Sequence, residues 1–170
     1  VVSCALTVPL QLRSALLKVG ATLGMVIGRT ACRVNEADAL TFIAGYTVCN
    51  DVSVPHASYY RPSLRYKARD GFLPLGPWIL AARHLPDPDA LEVVVHIDGR
   101  EAQRYSTAGM QRGVARLIAD VSGFMTLASG DLLMLGAGPA APLARIGQTV
   151  RIGIEPIGTL EHRLVAEGPA

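Results

Sequence analysis

The segment "EVVVHIDGREAQRYS" (residues 92–106) restricts more than any other what this chain can fold into. Two strand-like runs flank Asp98-Gly99, a dipeptide that accepts the positive φ angles of a type I′ turn, so the spacing predicts an antiparallel hairpin. Other segments carry the same signal. "LGMVIG" (residues 23–28) is an apolar run closed by glycine, and "IAGYTVCNDVS" (residues 43–53) is β-branched and aromatic, ending in the polar group Asn50, Asp51, Ser53. "PWILAA" (residues 77–82), "DLLML" (131–135), "TVRIGI" (149–154) and "LEHRLV" (160–165) are further strand candidates between Gly/Pro loops.

Two helices are predicted. "NEADAL" (residues 35–40) offers Asn35 as an N-cap with acidic residues in the first turn, which predicts a short one. Residues 110–127 place Val114, Leu117, Ile118, Val121, Phe124 and Met125 at three- and four-residue spacings, an amphipathic helix with Arg112, Arg116 and Asp120 turned away. The fold class is therefore α+β and β-rich, with one long and one short helix. At 170 residues, one domain is expected. It is placed at residues 20–165, with residues 1–19 unassigned and residues 166–170 a tail. The start, "VVSCALTVPLQL", lacks an initiator methionine and a basic region and reads as a cut amino end.

Composition excludes several classes. Half of the residues are hydrophobic and 18% are charged, which argues against disorder. The 16 basic residues are dispersed and aromatics make up 5%, so neither a basic stripe nor a stacking platform for nucleic acid is present. No apolar run is long enough for a membrane helix. Cys4, Cys32 and Cys49 follow no metal-binding or disulfide spacing and read as reduced thiols, which suits a cytoplasmic protein.

The stretch "YKARDGFLPLGPW" (residues 66–78) sets Lys67, Arg69 and Asp70 directly before an apolar loop. A solvated face would not continue into Phe72, Leu73, Leu75 and Trp78, so these charges are expected at the edge of something buried. From the residues alone Lys67 reads as a surface lysine paired with Asp70, and Asp51 as the cap of a turn with Asn50 and Ser53.

Several separated blocks in one order carry a family resemblance: "VIGRTACRVNEADALTFIAGYTVCNDVS", "YKARDGFLPLGPW", "DALEVVVHIDGREAQRYST" and "SGDLLMLGAGP". Over residues 20–165 the chain resembles the fumarylacetoacetate hydrolase superfamily. "VPHASYYRPSLRYKARDGF" is most similar to its homoprotocatechuate-degrading isomerase/decarboxylases, and to their amino-terminal half. The resemblance implies a mixed β-sandwich roll and an enzyme that decarboxylates and tautomerises small 2-oxo-dicarboxylates. It also implies a homodimer or pairing with a paralogous domain.

It further implies Mg2+ or Mn2+ held by an E-x-E pair and an aspartate, since hard cations take oxygen ligands and can stabilise an enolate. Asp51 stands at the aspartate position, but Gly20 and Thr22 stand at the two glutamate positions. Lys67 matches the family's active-site lysine, which can donate a proton or polarise an oxyanion. Arg61, Arg65, Arg69 and Tyr59 are the candidate binders of the substrate carboxylates. Ala137 in "GAGP" replaces a threonine that contacts substrate in the family, and Pro55 and His56 replace an arginine and an aspartate. His56 itself reads as a locally hydrogen-bonded loop histidine. The absent carboxylates leave open a catalytically disabled domain working beside a metal-competent paralogue.

Overall fold

The computed structural model describes residues 2–8, 16–56 and 64–166. It contains two main sheets and a two-stranded ribbon. The strands in chain order are β1 (Val2–Val8), β2 (Leu17–Lys18), β3 (Ala21–Ile27), β4 (Ile43–Asn50), β5 (Leu75–Ala81), β6 (Glu92–Ile97), β7 (Arg100–Ser106), β8 (Leu132–Met134), β9 (Leu143–Ala144), β10 (Thr149–Ile154) and β11 (Gly158–Ala166). The helices are α1 (Leu64–Lys67) and α2 (Val114–Ser122), with a 3-10 helix at Glu36–Phe42. One sheet runs β1-β11-β10-β6-β7, the other β5-β4-β3-β8, and β2 pairs with β9. All pairings are antiparallel except β1 with β11, which makes the first sheet mixed.

The hairpin is β6-β7, with Asp98 at φ 50° and Gly99 at φ 77°, the left-handed pair that the Asp-Gly sequence permits. In β10 and β11 apolar residues alternate with exposed ones: Val150, Ile152, Ile154, Leu160 and Leu164 are buried, while Arg151 and Arg163 face out. That period of two gives a sheet with one face on the core. β3 behaves differently, because Ala21 to Met25 are all buried, so it lies at the centre of the molecule between layers.

Three readings of the sequence need correction. The segment after Asn35 forms a 3-10 helix, and the Asn35 side chain makes no capping bond. The long helix is α2 alone, bounded by Gly113 and Gly123. Phe124 and Met125 lie beyond it, 78% and 50% exposed, and do not belong to its buried face. Residues 64–67, to which the sequence reading assigns no element, form the single turn α1, closed by Ala68 N–H donating to Leu64 O at 2.7 Å. In addition, the unassigned start contains β1, which lies along β11 from Val2↔Leu160 to Val8↔Ala166. A parallel partner that far away in sequence leaves no local pattern to read.

A buried side-chain pair links the two sheets. Asn50, at the end of β4, and His162, on β11, are both fully buried, with Asn50 Nδ2 3.0 Å from His162 Nε2. Among the described residues Asn50 Oδ1 and His162 Nδ1 have no partner. Burial pushes the His162 pKa down to about 4. The folded state thus resists a proton that the unfolded chain takes up near the ordinary value of about 6.5. Stability is fully present above that value and falls as the pH drops from 6.5 towards 4, by up to ~1.4 kcal/mol per pH unit. Urea melts at pH 7 and pH 5 check this: His162→Gln, which keeps an acceptor for Asn50, should lose less stability over that interval than the parent protein. An equal loss in both would remove His162 as the cause.

Candidate functional site

β4 ends at Asn50, and the next residue sends its carboxylate the opposite way from the Asn50 side chain. Asp51 Oδ2 accepts a hydrogen bond from Lys67 Nζ, which α1 brings from sixteen residues further along the chain. The pair is half-exposed, with side-chain exposures of 43% for Lys67 and 25% for Asp51. Lys67 therefore pairs with Asp51 and not with Asp70.

The pair borders a cavity of about 360 Å³ whose wall also includes Lys18, Ser53, His56, Gly136 and Ala137. Lys18 is held there by reciprocal backbone bonds, Lys18 N–H donating to Ser53 O at 2.8 Å and Ser53 N–H donating to Lys18 O at 3.2 Å. Two lysines and one carboxylate contribute to this wall, a balance of charge that suits an anion. His56 Nδ1 lies 3.2 Å from Val54 O and its ring stacks on Tyr66 at 4.8 Å. The local bonding expected of His56 is present, and the same ring also lines the cavity.

Close packing explains the glycines around it. A Cβ at Gly20 would lie 2.3 Å from Asp51 O, and one at Gly138 would lie 2.6 Å from the Tyr105 ring. The Tyr105 hydroxyl donates to Ala21 O at 2.7 Å, and burial pushes its pKa up to about 12, so it remains a donor. Tyr105 thus clamps the "GAGP" loop against β3. Gly136 sits at φ 113°, a conformation that side chains other than glycine resist.

The candidate residues divide. Asp51 and Lys67 come together, while Arg69 lies just beyond them with its Nε donating to Arg65 O at 2.9 Å. Arg65 stacks over Tyr66 at 5.4 Å and does not line this cavity. Arg61 and Tyr59 lie outside the described residues. Lys18 was missed, although it stands two positions before Gly20 in the same alternating stretch. Cys49 is buried, its thiol pushed up to about 12 by burial, and behaves as a small hydrophobe.

The donors do not fit a divalent metal. Thr22 Oγ1 is spent on the loop, accepting from Gly136 N–H at 3.0 Å and donating to Gly136 O at 2.9 Å. Gly20 has no side chain and no room for one. Among the described residues Asp51 is the single carboxylate lining the cavity and already carries an ammonium, and no group of three His, Cys, Asp or Glu could hold an ion.

The family described as fumarylacetoacetate (FAA) hydrolase C-terminal matches residues 4–165. The chain belongs to the fumarylacetoacetate hydrolase family. It is 38% identical over 167 residues to the 4-hydroxyphenylacetate degradation bifunctional isomerase/decarboxylase of Escherichia coli, covering 98% of this chain and 38% of that protein. The enzyme of the same description from Salmonella dublin is 41% identical over 148 residues, covering 87% and 34%. This chain thus spans well under half the length of these relatives. Among solved structures, 5-carboxymethyl-2-hydroxymuconate delta-isomerase from Mycobacterium smegmatis superposes with a TM-score of 0.88 at 33% identity, over 98% of this chain and 65% of that one. Fumarylpyruvate hydrolase from Pseudomonas aeruginosa, solved with Mn2+ and pyruvate, gives 0.89 at 25% identity, over 97% and 72%. The mixed β-sandwich roll is therefore the family fold. Divalent metal is a property of such relatives, and this chain's residues depart from it.

Two measurements test that departure. Manganese titrated into the chain, followed by the electron paramagnetic resonance of the free ion, should show no site tighter than roughly 1 mM. Gly20→Glu should not restore one, and should destabilise the fold by about 1–3 kcal/mol through overpacking against the Asp51 backbone. Stoichiometric manganese at micromolar concentration in the parent protein would contradict the assignment.

Proposed function

We propose that this chain is a domain of a 2-oxo-dicarboxylate isomerase/decarboxylase in 4-hydroxyphenylacetate (homoprotocatechuate) catabolism, and that its own cavity performs the isomerisation without a metal. The observation that carries the reading is the Lys67–Asp51 pair on a cavity that Lys18 also lines, at the place where the family resemblance expects carboxylates around an ion. The substrates this implies are 5-carboxymethyl-2-oxo-hex-3-ene-1,7-dioate for decarboxylation and 2-hydroxyhepta-2,4-diene-1,7-dioate for isomerisation.

Tautomerisation of the hydroxydiene suits such a site. The enol proton leaves the oxygen on carbon 2, the double bonds shift, and a proton arrives at carbon 5; no oxidant, reductant or water is consumed. Lys67 places a charged donor against the developing enolate, and Asp51 holds that donor in place. Lys18 neutralises a carboxylate of the substrate. A fixed donor of this kind contributes about 10²–10³-fold to rate.

The empty glutamate positions, Gly20 and Thr22, favour a second reading for the other reaction. Decarboxylation, which in this reading draws on a metal to take up the developing enolate charge, is assigned to a metal-competent paralogous domain paired with this one.

The isolated chain, treated with chelator, should isomerise 2-hydroxyhepta-2,4-diene-1,7-dioate, and Lys67→Ala should lower kcat/KM by about 10²–10³-fold. Decarboxylation should require the added paralogue and metal. An isomerase activity that disappears with the chelator, or that Lys67→Ala leaves unchanged, would leave only the partner role.

A further inference from the structure

The Lys67–Asp51 pair is a shared wall. On one side lies the polar cavity with Lys18, Ser53 and His56; on the other lies a second concavity of about 320 Å³, to which Asp51 and Lys67 also contribute. The second side is the more apolar of the two. Leu64, Phe72, Leu73 and Met134 line the second one, together with Arg69. Phe72 is buried, whereas Leu73 is 42% and Leu64 68% exposed. Large apolar side chains held open to solvent around a concavity, with few polar groups, are the usual composition of a small-molecule site. Arg69 Nε donates to Arg65 O, and the residue contributes to the wall of the recess.

The charges select the occupant. One cation, Lys67, stands between the two spaces and another, Arg69, borders the apolar one, with hydrocarbon walls around them. A ligand matching this pattern has an anionic head, an apolar middle and a second anionic end. Resting on the functional reading above, we propose that the apolar recess is the chain-length site of this domain: the 2-oxo-carboxylate end occupies the polar cavity, and the hydrocarbon chain passes Lys67 into the recess, where Arg69 receives the distal carboxylate. Leu73 and Met134 then set how long a chain is preferred, and Arg69 sets the preference for a dioate over a monoacid. Neither role involves the reacting atoms.

Calorimetric titration of the full chain in chelator tests this with three stable probes: 2-oxopentanedioate, 2-oxoheptanedioate and 2-oxoheptanoate. Two added methylenes buried in the recess should make 2-oxoheptanedioate bind roughly tenfold tighter than 2-oxopentanedioate. Leu73→Ser should bring that ratio close to one. Arg69→Gln should weaken 2-oxoheptanedioate and leave 2-oxoheptanoate unchanged. Both variants are at solvent-accessible positions, and the parent series decides the matter even where a variant does not fold. Equal affinity for the two dioates overturns the recess while leaving the cavity reading intact, and so does a length preference that survives Leu73→Ser. Failure of every probe to bind overturns the functional reading and the recess together.

Discussion

Gly20 and Asp51 approach so closely that their backbones touch: Asp51 N–H donates to Gly20 O at 2.9 Å, and a methyl group at position 20 would sit 2.3 Å from Asp51 O. This contact fastens the entry of β3 to the exit of β4, and the rest of the site follows from it. No side chain can leave position 20 towards the cavity, and the next position on that face, Thr22, is drawn into the loop at Gly136. The Asp51 carboxylate then has one strong partner within reach, the ammonium that α1 delivers.

The outcome is a reversal of local charge on an unchanged frame. Where hard-cation sites collect several oxygen anions, the lining of this cavity holds two lysines and one carboxylate, with the Lys67 ammonium on Asp51. An ammonium presents one positive charge and three directional donors, while a divalent ion presents twice the charge and an open coordination shell. The ammonium is the weaker electrophile. In the proposed function it serves a reaction that only moves a proton through an enolate, the less demanding of the two, since the other must hold an enolate while a carbon–carbon bond breaks. The division of labour proposed above between this domain and a metal-competent partner rests on that physical difference between the two cations.

Much of the frame was legible in the sequence because it rests on local signals. Asp98-Gly99 specifies its own turn, and the alternation in β10 and β11 needs only one solvated face to be readable. The partnership of β1 with β11 was not legible, since a parallel pairing across the whole chain leaves no mark near either strand. α2 was overextended because Phe124 and Met125 continue the apolar spacing after Gly123 has ended the helix. At the site, the family resemblance singled out Asp51 and Lys67, but not their partnership, which depends on α1 bringing Lys67 to the end of β4. Lys18 lay in a stretch with no assigned element, so its proximity to Ser53 could not be anticipated. Asn50 looked like one more polar residue of the turn, and only the packing of the sheets shows it pointing inward.

That inward turn links the stability of the domain to its chemistry. Consecutive residues at the end of β4 serve opposite environments, Asn50 a dry space between sheets and Asp51 a wet cavity. Asn50 has an amide with both donors and an acceptor, yet the interior offers it one partner, His162, and leaves Asn50 Oδ1 and His162 Nδ1 unmet. An unmet buried polar atom costs about 1–3 kcal/mol, and an apolar pair of similar shape would avoid that cost. What the polar pair supplies is direction: a hydrogen bond fixes the rotation of the strand end, whereas apolar contacts tolerate sliding. Fixing Asn50 fixes the peptide that follows it, and that peptide carries the carboxylate on which Lys67 rests. The buried pair thus trades stability for the orientation of Asp51, an exchange that makes sense only where the position of one charge matters more than the strength of the core.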